Sequence, residues 1–354
     1  MISELLSLIT GLIIIIYLSS IHDKNNEKFT NTNYKKDHIF VSIASYRDDE
    51  CPKTIISLFE NAKNPNNIFV GLCQQNKENE DIDCYLEKYK NNIRIKRLKH
   101  TDAKGPTYAR YICSKLCEGE EYFLQIDSHT DFIKNWDSII IDLYHKCPSI
   151  KTAITHYPPS KTDNSNLLSY MCKSSFNSND IPTFESALIS DPKKNLLSPY
   201  IAGGMLFLKS SFLKKVPFDP FLPYLFQGEE ILLSARLWTN GYDFYLPRTN
   251  ICKHSYTRSD KPKFWTDNKN YSSTQKKSLL RVKYILGWIK KKDIKDIKII
   301  KDIDKYGLGS DRTMGEYLKF AGINRNSKIN KNYCSEFIIA NQKFENFIPN
   351  IYDN

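Results

Sequence analysis

The sequence predicts an α/β protein whose core is a mainly parallel β-sheet flanked by helices. Two observations indicate this class. Apolar segments of strand length alternate along the first half of the chain with segments of helix length. Such alternation favours strand–helix–strand units, which form parallel sheets. The chain has 354 residues, of which 41% are hydrophobic, and this is enough for one large core or two domains.

Predicted strands and helices alternate between residues 38 and 157. The strands are HIFVSIASY, NIFVGLC, NIRIKRL, YFLQID and KTAITHY, and the helices are CPKTIISLFENA, GPTYARYICSKLC and NWDSIIIDLYHKC. Pro52 suits the first turn of the first helix, and Gly105-Pro106 suits the start of the second. Because parallel sheets bind ligands at the carboxyl ends of their strands, the polar residues that follow these strands are expected to share one edge.

The second half of the chain is predicted to be less regular. Residues 160–200 are rich in Pro, Ser and Asn and are predicted to be loops, and the stretch that follows is dense in glycines and aromatics. From about residue 272 the pattern is mostly helical, as in the amphipathic segment LLRVKYILGWIKKK. We therefore predict an α/β domain at residues 38–270 and a helical C-terminal extension at residues 271–354.

The N-terminal segment Leu5–Ile21 carries no charge over seventeen residues. As a helix it would be about 26 Å long, slightly short of the roughly 30 Å hydrocarbon core of a bilayer. We predict a single membrane anchor at residues 1–22 and a polar linker at residues 23–37. A cleaved signal peptide is the alternative, but Glu4 stands where a basic region is expected. The lysines that follow favour a single-pass protein with a cytosolic body.

Charge and cysteine content narrow the possible classes of protein. The formal net charge of +11 suits an anionic ligand, nucleic acid or a membrane surface. Part of it comes from a lysine-rich run at residues 289–305, and no nucleic-acid-binding motif accompanies that run, so nucleic acid is not an expected partner. The nine cysteines are scattered and include no C-x-x-C pair, which disfavours a zinc cage and predicts free thiols in a reducing compartment.

The segment EYFLQIDSHTDF places a carboxylate and an imidazole at the end of a predicted strand. Asp127 and His129 would point to the same face of an extended chain and could bind one object together. A diphosphate ligand would be repelled by the carboxylate by roughly 4 kcal/mol at 4 Å, whereas a divalent cation between them would bridge the two. An Asp and His set suits Mn²⁺, or Mg²⁺, and His254 in CKHSYTR is the expected third ligand. The D-x-H pattern alone fits a structural salt bridge or a capping role equally well.

Other residues at the ends of predicted elements are candidates for ligand binding. The helix N-terminus at Gly105 offers N–H groups to a phosphate, and Arg110 lies one turn into that helix. Gly203-Gly204 would allow close approach of the backbone, and Glu229 at a helix start could bind sugar hydroxyls. Each has a structural alternative: a surface arginine, tight packing, or an acid in a first helical turn. The expected binding set also contains Ser45, Tyr46, Arg47, Gln75, Ser128, Tyr256 and Arg258.

Several motifs in this order resemble known enzymes. The motifs VSIASYRDDEC, GLCQQ, KGPTYAR, LQIDSHTDF, PFDPFLPYLFQGEE and RLWTNGYDFY are similar to the GlcNAc-transferases that modify hydroxyproline on a cytoplasmic ubiquitin-ligase subunit. The stretch from AGGMLF through QGEEILLSARLW to the later histidine resembles the polypeptide N-acetylgalactosaminyltransferases more distantly. The resemblance runs from about residue 38 to 267, and KYGLGSDRTMGEYLKFAGI extends it to about 324.

The resemblance implies a GT-A glycosyltransferase fold, UDP-GlcNAc as the donor, and transfer that retains the α configuration. It implies that Asp127, His129 and His254 bind a divalent metal, that Arg110 and Ser45–Arg47 hold the nucleotide, and that Tyr256 and Arg258 lie against the diphosphate. Gly203, Gly204 and Glu229 would face the donor sugar, and Arg110 and Glu229 are the expected catalytic residues.

The acceptor implied by the resemblance is a hydroxyl group, on protein as hydroxyproline, Ser or Thr. Another UDP-sugar or a glycan acceptor is one alternative, and a non-catalytic relative that binds sugar nucleotides or glycans is another. Two departures from the resembled families bear on these alternatives. Glu230 replaces the Asn of the N-acetylgalactosaminyltransferase motif. The second departure is the predicted membrane anchor, which the cytoplasmic hydroxyproline enzymes would not need.

Overall fold

The structure, a computed structural model, describes residues 34–269 and 271–334. The chain separates into two units, Met1–Lys36 and Asp37–Asn354, and the architecture given below is that of the second. The predicted membrane anchor lies outside the described residues, as does the end of the predicted C-terminal extension. Over the described part of the chain, no helix is both long enough and apolar enough to cross a lipid bilayer.

The central element is an eight-stranded sheet with the strand order β3-β2-β1-β4-β10-β6-β11-β9. Two further pairs, β5 with β12 and β7 with β8, form small two-stranded sheets. The strands are β1 (Lys35–Tyr46), β2 (Ile68–Asn76), β3 (Ile93–Lys99), β4 (Glu120–Asp127), β5 (Thr130–Phe132), β6 (Thr152–Thr155), β7 (Leu168–Phe176), β8 (Pro182–Ile189), β9 (Leu196–Ser198), β10 (Met205–Lys209), β11 (Asp243–Leu246) and β12 (Cys252–His254).

Helices connect the strands in the first half of the chain and collect at its C-terminal end. They are α1 (Cys51–Glu60), α2 (Pro106–Ser114), α3 (Trp136–His145), α4 (Glu229–Thr239), α5 (Phe264–Asp267), α6 (Tyr271–Ile285), α7 (Ile303–Tyr306) and α8 (Met314–Phe320). The alternation of strand and helix up to β6 confirms the sequence prediction. Pairing is parallel for β1–β2, β2–β3 and β6–β11, whereas β10 runs antiparallel to β4 and β6, and β9 antiparallel to β11.

Both faces of the large sheet are buried. Along β1, Ile39, Val41 and Ile43 belong to one apolar cluster and Phe40 to another, because successive side chains of a strand point to opposite faces. Helices α1 and α3 contribute to the first cluster, and α4, α6 and α8 to the second. A sheet covered on both faces explains the continuous apolar runs of the sequence.

The prediction of loops at residues 160–200 is wrong, because this stretch contains β7, β8 and β9. β7 and β8 pair antiparallel, with an irregularity in register between Met171 and Lys173. Such a bulge shifts the side chains beyond it to the other face. It therefore interrupts the alternation by which a strand is recognised in sequence.

The prediction that the cysteines are free thiols is wrong for four of them. Cys51 is bonded to Cys84 and Cys172 to Cys334, with Cα atoms 5.3 Å and 5.1 Å apart. The partners are 33 and 162 positions apart in sequence, so only the fold brings them together. The remaining cysteines, Cys73, Cys113, Cys117, Cys147 and Cys252, are free.

A buried ion pair attaches the C-terminal helices to the α/β domain. Arg281 on α6 donates to Asp219 at 2.6 Å, and the two residues are 1% and 2% exposed. The same guanidinium donates to the carbonyls of Ile299 and Lys301, at 2.7 Å and 2.8 Å. One buried cation thus connects three segments of the chain.

We predict that Asp219→Ala lowers the free energy of unfolding by about 3 kcal/mol, because it leaves the buried Arg281 guanidinium without its counter-charge. Asp304→Ala removes an exposed carboxylate and is the matched control, with an expected change of about 0.5 kcal/mol or less. Urea denaturation followed by tryptophan fluorescence measures both. Equal stability of the two variants would contradict this account of the pair.

Candidate active site

A cavity of about 510 Å³ opens at one edge of the large sheet. It is lined at the ends of three neighbouring strands by Tyr46 of β1, Gln75 of β2 and Asp127 of β4. Tyr46 and Gln75 are direct partners in the β1–β2 register. The cavity thus lies where an α/β sheet is expected to bind its ligand.

Asp127, His129 and His254 come together at this cavity, with one potential ligand atom from each lying within 4.8 Å of the others. His254 arrives there because β12 pairs antiparallel with β5, which places it opposite Thr130. The backbone N–H of Ser255 donates to the His129 carbonyl at 3.1 Å and extends this pairing. Two short strands therefore bring a distant histidine to the D-x-H motif.

The two imidazoles are held in different ways. His129 Nδ1 lies 2.8 Å from Asp48 Oδ2, so its Nε2 atom remains for another partner. His254 Nε2 lies 3.1 Å from Asp127 Oδ2, while its buried Nδ1 atom has no hydrogen-bond partner among the described residues. A carboxylate and two imidazoles, one with an orphaned ring nitrogen, form a donor set that fits a divalent transition metal.

Asp127 stays ionised although it is partly buried, with 29% of its side chain exposed. Burial would raise the pKa of its carboxyl, but the hydrogen bond from His254 and the charges of Arg110 and the histidines outweigh burial and hold that pKa below its ordinary value. Arg110 donates to Asp127 Oδ1 at 2.8 Å. The site therefore presents an anionic ligand atom at neutral pH.

Arg110 also contacts a second carboxylate. It is 5% exposed, and its Nη1 atom donates to Glu229 Oε2 at 2.5 Å. Thr107, in the first turn of α2, donates to the same oxygen at 3.3 Å. The other Glu229 oxygen, Oε1, is buried and has no hydrogen-bond partner among the described residues. The hydrogen-bonding capacity of that oxygen is therefore not satisfied by the described part of the chain.

The two central glycines allow this arrangement sterically. A Cβ atom on Gly204 would lie 3.0 Å from Asp127 Oδ2, and one on Gly203 would lie 3.2 Å from Arg110 Nη1. Both distances are tighter than ordinary contacts. A side chain at either position would therefore crowd the Arg110–Asp127 pair.

Glu230 is a cavity residue that sequence reasoning did not include among the candidates. It accepts hydrogen bonds from the Gly203 N–H and the Tyr157 hydroxyl, both at 2.8 Å. Burial raises the pKa of Glu230 to about 7, and the negative charge of Glu229 adds to this. The Gly-Glu-Glu sequence was the available signal, but it does not indicate which glutamate meets the arginine.

Asp48 is the second residue that was missed. It is 3% exposed and accepts hydrogen bonds from Ser128 at 2.6 Å and from Arg258 at 3.1 Å, besides its contact with His129. Arg258 also donates to Glu50 at 3.2 Å. The acidic run RDDE after the first strand was the signal, since a run of acids at a sheet edge can orient basic ligand residues.

Most of the predicted site residues line the cavity, and two do not. The lining includes Tyr46, Gln75, Gly105, Arg110, Asp127, Ser128, His129, Gly203, Gly204, Glu229, His254, Tyr256 and Arg258. Ser45 is buried, and Arg47 turns to Asp81 and Asp267, each at 2.9 Å. Neither Ser45 nor Arg47 is among the described residues that line the cavity.

The fold is similar to that of GalNAc-T7. A crystal structure of GalNAc-T7 with UDP, GalNAc and Mn²⁺ matches with a TM-score of 0.56 at 14% identity, over 80% of this chain and 56% of that one. The chain thus spans little more than half of the GalNAc-T7 structure. A crystal structure of S. aureus TarS 1–349 matches with a TM-score of 0.49 at 13% identity, over 87% of this chain and 76% of that one.

The chain belongs to the family Glycosyltransferase (GlcNAc), whose model matches residues 38–92 and 84–327. The protein is therefore an enzyme, a glycosyltransferase. No curated protein sequence matches it. The family assignment agrees with the resemblance seen in the motifs at the level of a GlcNAc-type glycosyltransferase.

We predict that Glu230 makes the protein less stable as pH rises. Its pKa in the folded state is above that of an unfolded glutamate, so the folded state binds the extra proton and loses stability between about pH 4.5 and 7. Relative to Glu230→Gln, the wild type should lose about 2 kcal/mol of unfolding free energy between pH 5 and pH 8.

Urea denaturation in EDTA at the two pH values measures this difference. Glu118→Gln changes an exposed carboxylate and is the matched control, which should follow the wild type. Parallel pH profiles for the wild type and Glu230→Gln would refute the assignment of a raised pKa to this residue.

Proposed function

We propose that the protein transfers GlcNAc from UDP-GlcNAc to a hydroxyl group of a protein acceptor, hydroxyproline, Ser or Thr, and that it depends on a divalent metal. The observation that carries the proposal is the Asp127–His129–His254 cluster beside Arg110 in a cavity at the sheet edge. It occurs in a chain of the GlcNAc glycosyltransferase family. The GalNAc-T7 structure, which shares the fold, contains UDP, GalNAc and Mn²⁺ and supports a UDP-sugar donor.

Asp127, His129 and His254 would hold the metal, Mn²⁺ or Mg²⁺. When bound, such an ion neutralises the donor diphosphate and stabilises the charge that grows on the departing UDP. Asp48 orients His129, as second partners of metal-binding imidazoles commonly do. In this proposal Arg258 and Tyr256 lie against the diphosphate.

Arg110, Glu229 and the two glycines form the proposed donor-sugar side of the cavity. Gly203 and Gly204 line the cavity, and their lack of side chains leaves room for Arg110 and Asp127. In this proposal the donor sugar lies against the two glycines. In this proposal the unpartnered Oε1 atom of Glu229 accepts a hydrogen bond from a sugar hydroxyl or amide, and Arg110 orients the carboxylate through its other oxygen.

We propose retention of configuration by return of the acceptor on the face that UDP leaves. The bond from the anomeric carbon to the UDP oxygen breaks, a bond to the acceptor oxygen forms on the same face, and the acceptor proton passes to the leaving phosphate oxygen. Arg110 pairs with one oxygen of Glu229, and the proposal assigns the other oxygen to the donor sugar; Glu230 is engaged by Gly203 and Tyr157, so the proposal uses neither carboxylate as a nucleophile. Trapping a covalent glycosyl-enzyme would rule this route out.

The alternative functions keep the glycosyl transfer and differ in the donor sugar or in the acceptor. Glu230 replaces the Asn of the N-acetylgalactosaminyltransferase motif, so another UDP-sugar is the first alternative donor, and a glycan is the alternative acceptor.

Membrane attachment through residues 1–22 stays part of the proposal. The lysines after that segment favour a cytosolic body, whereas two disulfides favour an oxidising compartment. Protease protection in sealed membranes distinguishes the two orientations.

We predict that the purified protein hydrolyses UDP-GlcNAc slowly in the presence of Mn²⁺ and stops when EDTA is added. Asp127→Ala should lower the rate by about a hundredfold or more, because it removes a charged ligand from the metal site. Release of UDP is measured for UDP-GlcNAc beside UDP-GalNAc, UDP-glucose and UDP-galactose. Asp260→Ala, which removes an exposed carboxylate, should behave like the wild type.

If the enzyme prefers another UDP-sugar of that panel, the proposed donor is wrong but the proposed role of the metal is unaffected. Metal-independent hydrolysis, or full activity of Asp127→Ala, would contradict the metal role. Absence of both turnover and metal-dependent UDP binding would contradict the proposal as a whole.

We predict that Asp48→Ala raises the Mn²⁺ concentration needed for half-maximal hydrolysis by about 10- to 100-fold, because His129 loses the carboxylate that orients its ring. Asp49→Ala is the matched control. The Asp49 carboxylate, next to Asp48 in sequence, is about half exposed and pairs with Lys261 on the surface, so the Mn²⁺ requirement should not change. Mn²⁺ titration of UDP release tests both variants, and an unchanged requirement in Asp48→Ala would exclude this role.

A further inference from the structure

A second cavity, of about 360 Å³, opens beside the donor cavity. The two share Tyr157, Pro158 and Tyr256 and therefore lie side by side. We call the second cavity the side groove; its lining is completed by Pro159, Ser160, Asp163, Leu167, Ser169, Ser186 and Leu188. An acceptor molecule whose reacting group contacts the donor sugar could bind with its remaining part in the side groove.

The floor of the side groove is the outer face of the β7–β8 hairpin. Ser169 of β7 is the direct partner of Leu188 of β8, and Ser186 lies two positions along on the same face. The opposite face of the hairpin packs Leu168 and Tyr170 into an apolar cluster. The groove is therefore built on a fixed support and does not need a ligand to form it.

The polar atoms of the side groove are largely engaged with each other. The hydroxyls of Ser169 and Ser186 lie 2.6 Å apart, the Tyr256 hydroxyl donates to the Pro158 carbonyl at 2.7 Å, and the Tyr157 hydroxyl donates to Glu230. Pro158 and its neighbour Pro159 have no backbone N–H to offer. Ser160 pairs with the Thr162 hydroxyl, and the Asp163 carboxylate accepts a hydrogen bond from the Ser165 N–H. Apart from the remaining acceptor capacity of Asp163, little is left to pair with the many hydroxyls of an oligosaccharide, whose burial without partners is costly.

Apolar surface, in contrast, is exposed in the side groove. Leu188 is 62% exposed and Tyr256 is 53% exposed, and both face the same cavity. Apolar side chains of an incoming chain would remove this surface from water without needing new polar partners. The chemistry of the groove thus favours a polypeptide with apolar residues over a glycan.

We propose that the side groove binds the polypeptide acceptor, with an apolar residue near the accepting hydroxyl seated on Leu188 and the two prolines. This inference rests on the proposed glycosyltransfer to protein and adds the place where the acceptor chain binds and the residues that select its sequence. The reacting hydroxyl enters the donor cavity past Tyr157, at the point where the two cavities meet.

The test uses the full chain with Mn²⁺, UDP-GlcNAc and a mixture of synthetic decapeptides. The central residue is Ser, Thr or hydroxyproline, and the flanking positions vary among Leu, Ala, Asp and Lys. Mass spectrometry of the glycosylated products should show about tenfold enrichment of Leu at one or more flanking positions. Leu188→Asp should abolish that enrichment while UDP-GlcNAc hydrolysis stays within twofold of the wild type.

Ile297→Asp is the matched control, since Ile297 is 59% exposed and lines neither cavity. It should keep the wild-type preference for Leu. Enrichment that persists in Leu188→Asp, or transfer to oligosaccharides with none to any peptide, would overturn the acceptor proposal. In those cases continued hydrolysis of UDP-GlcNAc shows that the donor function stands, whereas loss of hydrolysis in the wild type would refute the proposed function itself.

Discussion

The candidate site depends on one buried guanidinium. Arg110, at 5% exposure, holds Asp127 at the end of β4 and Glu229 at the start of α4. A buried charge is tolerated only when it is paired, and here one cation compensates two carboxylates that would otherwise repel each other. The pair also accounts for the two glycines, because any side chain at those positions would meet the guanidinium or the carboxylate. The Arg110 guanidinium thus positions the end of β4, the start of α4 and the loop that carries the two glycines.

Around this centre, supporting residues decide what each functional group does. Asp48 orients His129 and also accepts a hydrogen bond from Arg258, so one carboxylate organises both the metal cluster and the proposed diphosphate contact. The neighbouring Glu229 and Glu230 show the effect of environment on identical groups. Glu229 faces a guanidinium, whereas Glu230 has only neutral hydrogen-bond donors, and burial raises its pKa. Glu230 therefore titrates near neutral pH.

The candidate site and the side groove are built from three parts of the fold. The large sheet supplies the strand ends, the short β5–β12 pair supplies His254, and the β7–β8 hairpin supplies the side groove. Under the proposed function, the donor and acceptor surfaces would come from these different elements and meet at Tyr157. The sheet edge would then set the donor chemistry, and the β7–β8 hairpin would set the acceptor preference.

The sequence by itself determined the strand–helix alternation, the polar strand ends and the D-x-H pattern, because these depend on residues close together in the chain. It also indicated thirteen of the residues that line the cavity, among them His254 and Arg110. The tertiary structure alone decided that Arg47 turns to Asp81 and Asp267, that Asp48 supports His129, and that Cys51 and Cys172 form disulfides. Those contacts join residues 33 to 220 positions apart, and local pattern carries no information about partners at that distance.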